Sequence, residues 1–156
     1  TFNEEEALIQ LQFLKKQNKQ SFALAFFVAI LFFPGSSFAF CFEEAGKAYR
    51  ISPDLLRAIS KVESGGNSRA INKNKKSYDF GVMQINSSWA KTLGLEQWSR
   101  LGDPCTNVKT GAWILAQSMD RHGYSWEAVG YYNAKAPKKR ALYIRRVANV
   151  LEKMRN

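Results

Sequence analysis

The sequence predicts a mainly α-helical domain with one small loop or hairpin region, and three observations carry that prediction. Apolar residues recur at helical spacing through most of the chain beyond residue 40. Residues that start and stop helices bracket those stretches. A single polar tract, residues 67–80, interrupts them. At 156 residues, 46% hydrophobic and 23% charged, the chain has globular composition and room for one core.

The elements follow in order. Phe42, Ala45 and Tyr49 share one face of a short helix over residues 41–49. Ser52 is a good N-cap and Pro53 a good first helical residue, because its missing N–H has no partner there anyway. Leu55, Leu56, Ile59 and Val62 carry an apolar stripe to Glu63, and Gly65-Gly66 end that helix. Residues 67–80 hold Asn72, Lys73, Asn74, Lys75 and Lys76 before Tyr78, a loop or small hairpin. A short helix is expected over residues 89–95. A long one is expected over 105–119, where Val108, Ala112, Leu115 and Met119 keep step. Residues 126–132 and 142–154 complete the set, the last with Ile144, Val147, Leu151 and Met154 at helical spacing.

Residues 1–39 read as a leader, with the folded domain at 40–156. Lys15, Lys16 and Lys19 precede a charge-free apolar run from Phe22 to Phe33. Pro34 and Gly35 break the run, and Ser37-Phe38-Ala39 places small residues where a signal peptidase needs them. The run is shorter than the ~20 residues that span a bilayer, so no stable membrane anchor is expected after cleavage. Phe40 stands where a lipoprotein signal needs a small residue before Cys41. Export makes the compartment oxidising, and there two cysteines usually pair. A bridge between Cys41 and Cys105 would close 64 positions of sequence and contribute about 4 kcal/mol; two unpaired buried thiols are the alternative. One His and no ligand cluster imply no metal and no cofactor.

The net charge of +10 points to a polyanionic partner: nucleic acid, anionic lipid or a carboxylate-rich cell wall. Lys138-Lys139-Arg140 with Arg145 and Arg146 resembles a nucleic-acid stripe, but no base-reading motif accompanies it and export argues against that use. No nucleic acid is expected. His122, beside Gly123, reads as a solvated or capping residue.

Glu63 is the central chemical observation. It follows Leu56 and Ile59 by seven and four positions, so it lies on the apolar face of its own helix. Lost hydration raises a carboxyl's pKa toward neutral and keeps it protonated as a general acid. The negative end of the helix dipole pushes the same way. An exposed terminal Glu is the alternative from position alone.

The wider pattern resembles a known superfamily. Glu63-Ser64 is followed by Asn67, by Ala70-Ile71-Asn72, and by Asp79-Phe80-Gly81-Val82-Met83-Gln84-Ile85-Asn86-Ser87. The span from Val62 to Ser87 is similar to the catalytic stretch of animal-type lysozymes. Gly130-Tyr131-Tyr132-Asn133-Ala134 is similar to the Tyr-Asn-Ala signature of lytic transglycosylases, which those lysozymes lack. The two cysteines and Asp103-Pro104-Cys105-Thr106-Asn107 resemble the small, specialised transglycosylases of secretion systems, conjugation machines and pili. The likeness covers about residues 41–134.

It implies a lysozyme-like, two-lobed domain with residues 105–119 as central helix, cutting periplasmic peptidoglycan glycan strands for an envelope-spanning machine. Glu63 matches the family's acid and base. Asp79 falls where lysozymes keep a second carboxylate, or it bonds backbone in a turn before Gly81. Ser64, Gln84, Asn86, Tyr132 and Asn133 fall on the substrate side, although Gln84 would equally suit a turn satisfied by its amide. Lys135 departs from the Gly that the family often places after Tyr-Asn-Ala. A water-using hydrolase and a non-catalytic wall-binding protein are the rival readings.

Overall fold

The computed structural model describes residues 41–156, and the expected leader and its expected cleavage site lie outside the described residues. Among the described residues, six α-helices and a three-stranded antiparallel sheet follow one another: α1 (Phe42–Tyr49), α2 (Pro53–Ser64), β1 (Ile71–Lys73), β2 (Tyr78–Phe80), β3 (Ile85–Asn86), α3 (Ala90–Ser99), α4 (Pro104–His122), α5 (Trp126–Asn133) and α6 (Pro137–Lys153). Short 3₁₀ turns at Ser87–Trp89 and Arg100–Gly102 flank α3.

The starts and stops follow local chemistry. Ser52 occupies the N-cap of α2 and Pro53 its first turn, yet the Ser52 hydroxyl makes no capping bond; its N–H instead donates to the Tyr124 hydroxyl at 3.2 Å. Gly65 ends α2 in the left-handed conformation, φ 67°. Asp103 caps α4 by accepting from the Thr106 N–H at 2.7 Å, with Pro104 next. Ser125 caps α5 in the same way through Ala128.

Three expectations are corrected. The polar tract folds as a hairpin, but a third strand beyond Gln84 extends it past residue 80. The helix expected over 89–95 begins after a 3₁₀ turn, bends at Gly94 and continues to Ser99. The last helix starts at Pro137, five residues before the expected point, because a proline fits its first turn. Its inward face also differs. Tyr143 and Val147 are buried, whereas Met154, expected on the stripe, lies past the helix end and is exposed.

The core forms around α4, which packs against α1, α5 and β3. Leu56, Ile59, Val82, Met83, Ile85, Leu101, Val108, Leu115 and Val147 are fully buried. Each such side chain contributes about 1.5–3 kcal/mol on leaving water. Gly111 on α4 leaves the space that Met83 fills: an added Cβ would stand 2.8 Å from the Met83 side chain. The Cys41–Cys105 disulfide is formed and ties the start of α1 to the first turn of α4. Among the described residues no cysteine is free. No helix among them is long and apolar enough to cross a membrane.

Register decides which hairpin residues meet. Asn72 pairs with Asp79, and Asp79 with Asn86, so these three form one row across the sheet. Because side chains alternate along a strand, Ile71, Lys73 and Tyr78 belong to the opposite face.

Candidate active site

A cavity of about 340 Å³ opens between the hairpin and the helices. Glu63 stands on one wall, at the last turn of α2. Asn74, Asp79, Gln84 and Asn86 supply the hairpin wall, Trp89 and Ile114 apolar surface, and Tyr132 and Asn133 the end of α5.

Burial pushes the Glu63 carboxyl up to about 7. A hydrogen bond from the Tyr143 hydroxyl to Oε1, 2.6 Å long, opposes that rise; the Asp79 charge adds to it; the Arg146 charge opposes it. Arg146 also donates to the Val62 carbonyl at 3.4 Å, which keeps its charge beside the end of α2. Tyr143 and Tyr132 are themselves pushed well above the phenol range, chiefly by burial, so both remain hydrogen-bond donors at neutral pH. A carboxyl near 7 is about half protonated at neutral pH, so it can either give or take a proton there.

Asp79 sits in a different environment. Its Oδ2 accepts from the Asn74 amide at 2.8 Å and its Oδ1 from the Asn86 amide at 2.6 Å. Asn86 also donates to the Ser77 hydroxyl and, through Oδ1, caps the 3₁₀ turn at Ser88. Asn86 therefore lines the cavity with its amide fully engaged, and its direct effect is to aim Asp79.

The Gly81-Val82-Met83-Gln84 turn is a rigid floor. Gln84 has φ 51°, is buried, and its amide makes three bonds: Nε2 to the carbonyls of Gly81 and Ala70, and Oε1 from Asn72. The amide is thus satisfied within the turn, while Gln84 also lines the cavity. Asn107, buried on α4, grips the same turn from below. It accepts from the Met83 N–H at 2.9 Å and donates to the carbonyls of Phe80 and Leu101. Gly81 has φ 81°, and a Cβ there would lie 2.1 Å from the Asn107 amide nitrogen, so only glycine fits. Ser64 closes the ring from the other side, donating to the Val82 carbonyl at 2.8 Å. It acts as a clamp between α2 and the turn and is not among the cavity-lining residues.

Tyr132 donates to the Met83 carbonyl at 2.9 Å, joining α5 to the same floor. Asn133 is exposed on the cavity wall, and its side chain makes no hydrogen bond among the described residues. It is the amide left open to a ligand. His122 is exposed and stacks on Tyr131 at 4.1 Å, away from this group. Arg140 bonds the Lys135 carbonyl and Glu127 and lies over the Tyr131 ring, so it braces the chain after the Tyr-Asn pair.

The structure thus brings Glu63, Asp79, Gln84, Asn86, Tyr132 and Asn133 to one cavity and leaves Ser64 behind it. Tyr143, Asn107, Asn74 and Trp89 were not singled out as site residues. Tyr143 carried a readable signal: with Val147 it forms a four-residue step on α6, and a tyrosine on an inward stripe needs a partner for its hydroxyl.

Comparison with known proteins points to one family. The family model described as "Transglycosylase SLT domain" matches residues 40–148. The chain is 40% identical over 119 residues to Protein IpgF of Shigella flexneri, covering 73% of this chain and 78% of that one. It is 44% identical over 110 residues to invasion protein IagB of Salmonella typhimurium strain LT2, covering 68% and 69%. It is 36% identical over 141 residues to a peptidoglycan-binding-like protein of Escherichia coli O157:H7, covering 81% and 83%.

Proposed function

The chain belongs to the transglycosylase SLT domain family and is a peptidoglycan lytic transglycosylase, and from that premise we propose that Glu63 is its acid and base, assisted by Asp79. The observation that carries the proposal is a carboxyl raised to about 7 on one wall of a cavity whose other wall holds an anchored carboxylate. Glu63 protonates the oxygen of the β-1,4 bond between N-acetylmuramic acid and N-acetylglucosamine, and that bond breaks. Positive charge develops at the anomeric carbon, where Asp79 stabilises it electrostatically. Glu63, now a carboxylate, takes the proton of the muramyl 6-hydroxyl as that oxygen bonds the anomeric carbon. A 1,6-anhydro end results and no water is consumed.

The supporting residues divide into two groups. Asn133 offers its open amide to the sugar. Asn86 and Asn74 aim Asp79, while Gln84, Ser64 and Tyr132 hold the floor from which the substrate is presented. Direct sugar contact by the amides of Gln84 or Asn86 would require breaking bonds they already make.

Residues 1–39 act as a cleaved leader in this proposal, and the periplasm is the working compartment. The formed disulfide supports an oxidising destination. The name of one relative as an invasion protein supports service to an envelope-spanning machine, which the enzyme would assist by opening the wall locally. Mass spectrometry of digested wall tests the chemistry: anhydro ends, one water lighter than reducing ends, are expected. Predominantly reducing ends would make this chain a water-using hydrolase and overturn the proposal.

A further inference from the structure

The hairpin that supplies Asp79 carries a second groove on its other side. Ile71, Lys73, Asn74, Lys76, Tyr78 and Ser87 line it, and its volume is about 510 Å³. Asn74 lines both this groove and the catalytic cavity, so the two meet at the hairpin turn. The strand register explains the division, since Asp79 and Asn86 belong to one face and Lys73 and Tyr78 to the other. The groove's apolar surface is open: Ile71 is 56% and Tyr78 40% exposed. Its floor is fixed, because the Tyr78 N–H donates to the Ser87 hydroxyl at 3.1 Å and the Tyr78 ring meets Trp98 edge-on. Among the described residues, neither Lys73 nor Lys76 has an ion-pair partner.

An apolar surface flanked by two unpaired ammonium groups suits a ligand with small alkyl groups and several carboxylates. The glycan strand brings such a ligand: its stem peptide, attached to the muramyl sugar beside the bond that is cut. Continuity at Asn74 places the groove within reach of a peptide carried by a sugar in the cavity. We infer that this groove binds the acidic stem peptide, making Lys73 and Lys76 specificity determinants for stem-bearing strands. The inference rests on the peptidoglycan reading of the neighbouring cavity and names the part of the substrate that reading leaves unassigned.

The test compares the full chain with the double variant Lys73→Ala/Lys76→Ala on two substrates, intact strands and strands stripped of stems by an amidase. Exposed ion pairs are individually weak. The double variant should therefore lose about three- to tenfold more kcat/KM on intact strands than on stripped ones. Lys73→Arg/Lys76→Arg should restore the ratio, which a merely misfolded hairpin would not allow. Lys75→Ala, a lysine in the same turn that does not line the groove, should leave the ratio unchanged. Equal losses on both substrates, or no loss on either, would overturn the inference. Should the wild type cut neither substrate, the catalytic proposal fails, and NMR titration with a free stem peptide still decides this one. Shifts confined to the amides around Lys73, Lys76 and Tyr78, weakened when the peptide's carboxylates are amidated, would support it. An unperturbed hairpin would refute it.

Discussion

Glu63 and Asp79 face the same cavity from walls built on opposite principles. Glu63 projects from the end of a helix packed against α6, where burial is the dominant influence and one tyrosine hydroxyl reaches its carboxyl. Asp79 projects from a three-residue strand, and amide donors hold both of its oxygens. A dry wall raises a carboxyl until it can carry a proton at neutral pH, whereas an amide-lined wall fixes a carboxylate in place. In the proposed mechanism these two settings suit the same functional group to two roles, proton carrier for Glu63 and fixed electrostatic partner for Asp79. Only the first setting shows in the local sequence, as apolar residues one and two turns before Glu63; the amides that hold Asp79 come from Asn74 and Asn86, five and seven positions away.

The most damaging way to break the contrast is Glu63→Gln. The change is nearly isosteric and removes both proton steps, so glycan cleavage should fall by at least about 10³-fold. Retention of more than a few per cent of activity would remove Glu63 from the role. The same variant probes the dry wall thermodynamically. A carboxyl raised from 4.5 to about 7 binds more protons in the folded state than in the unfolded one across that window. The wild type should therefore lose stability as pH rises from 4.5 to 7, by up to about 3 kcal/mol. Glu63→Gln should flatten that slope and melt above the wild type at pH 8; parallel melting curves would contradict the raised carboxyl.

Asp79→Asn comes next in size. Loss of one stabilising charge at the transition state typically costs on the order of 10²–10³-fold in rate. The anhydro product should persist, since Glu63 and the 6-hydroxyl still do the bond making. Removing the Asp79 charge also removes one cause that raises Glu63, so the alkaline limb of the kcat/KM profile should move to lower pH. An unchanged rate would return Asp79 to a turn-holding role, and a switch to reducing ends would show that it helps exclude water.

Much of this arrangement was legible in the residues, and the illegible part has a physical reason. The helices were marked by apolar spacing and by Pro and Gly at their ends, as at Pro53 and Gly65-Gly66. Glu63 was marked by its place on the stripe of Leu56 and Ile59. The hairpin's third strand was hidden because Ile85-Asn86 is too short to alternate. Asn107 looked like an ordinary helix residue. Its three bonds to Met83, Phe80 and Leu101 join segments 6 to 27 positions away, which no local pattern encodes. The disulfide was expected from the compartment and from the resemblance, and the packing of α1 against α4 brings its two cysteines together.

Tyr143→Phe is the finest way to sharpen the contrast, because it alters the dry wall without removing its carboxyl. The ring keeps its place against the core beside Val147, and only the O–H to Glu63 is lost. That bond favours the ionised carboxyl and opposes the rise caused by burial. Its loss should move the alkaline limb of kcat/KM to higher pH, opposite to the shift expected for Asp79→Asn. The rate below that limb should fall by about tenfold, since the carboxylate left after proton donation loses a bond of about 1.5 kcal/mol. Opposite shifts in the two variants would show that one carboxyl reports both walls. A Tyr143→Phe profile that falls in height without moving along pH would make the tyrosine a packing residue. In that case burial, with the Asp79 and Arg146 charges, would set the acid strength of Glu63.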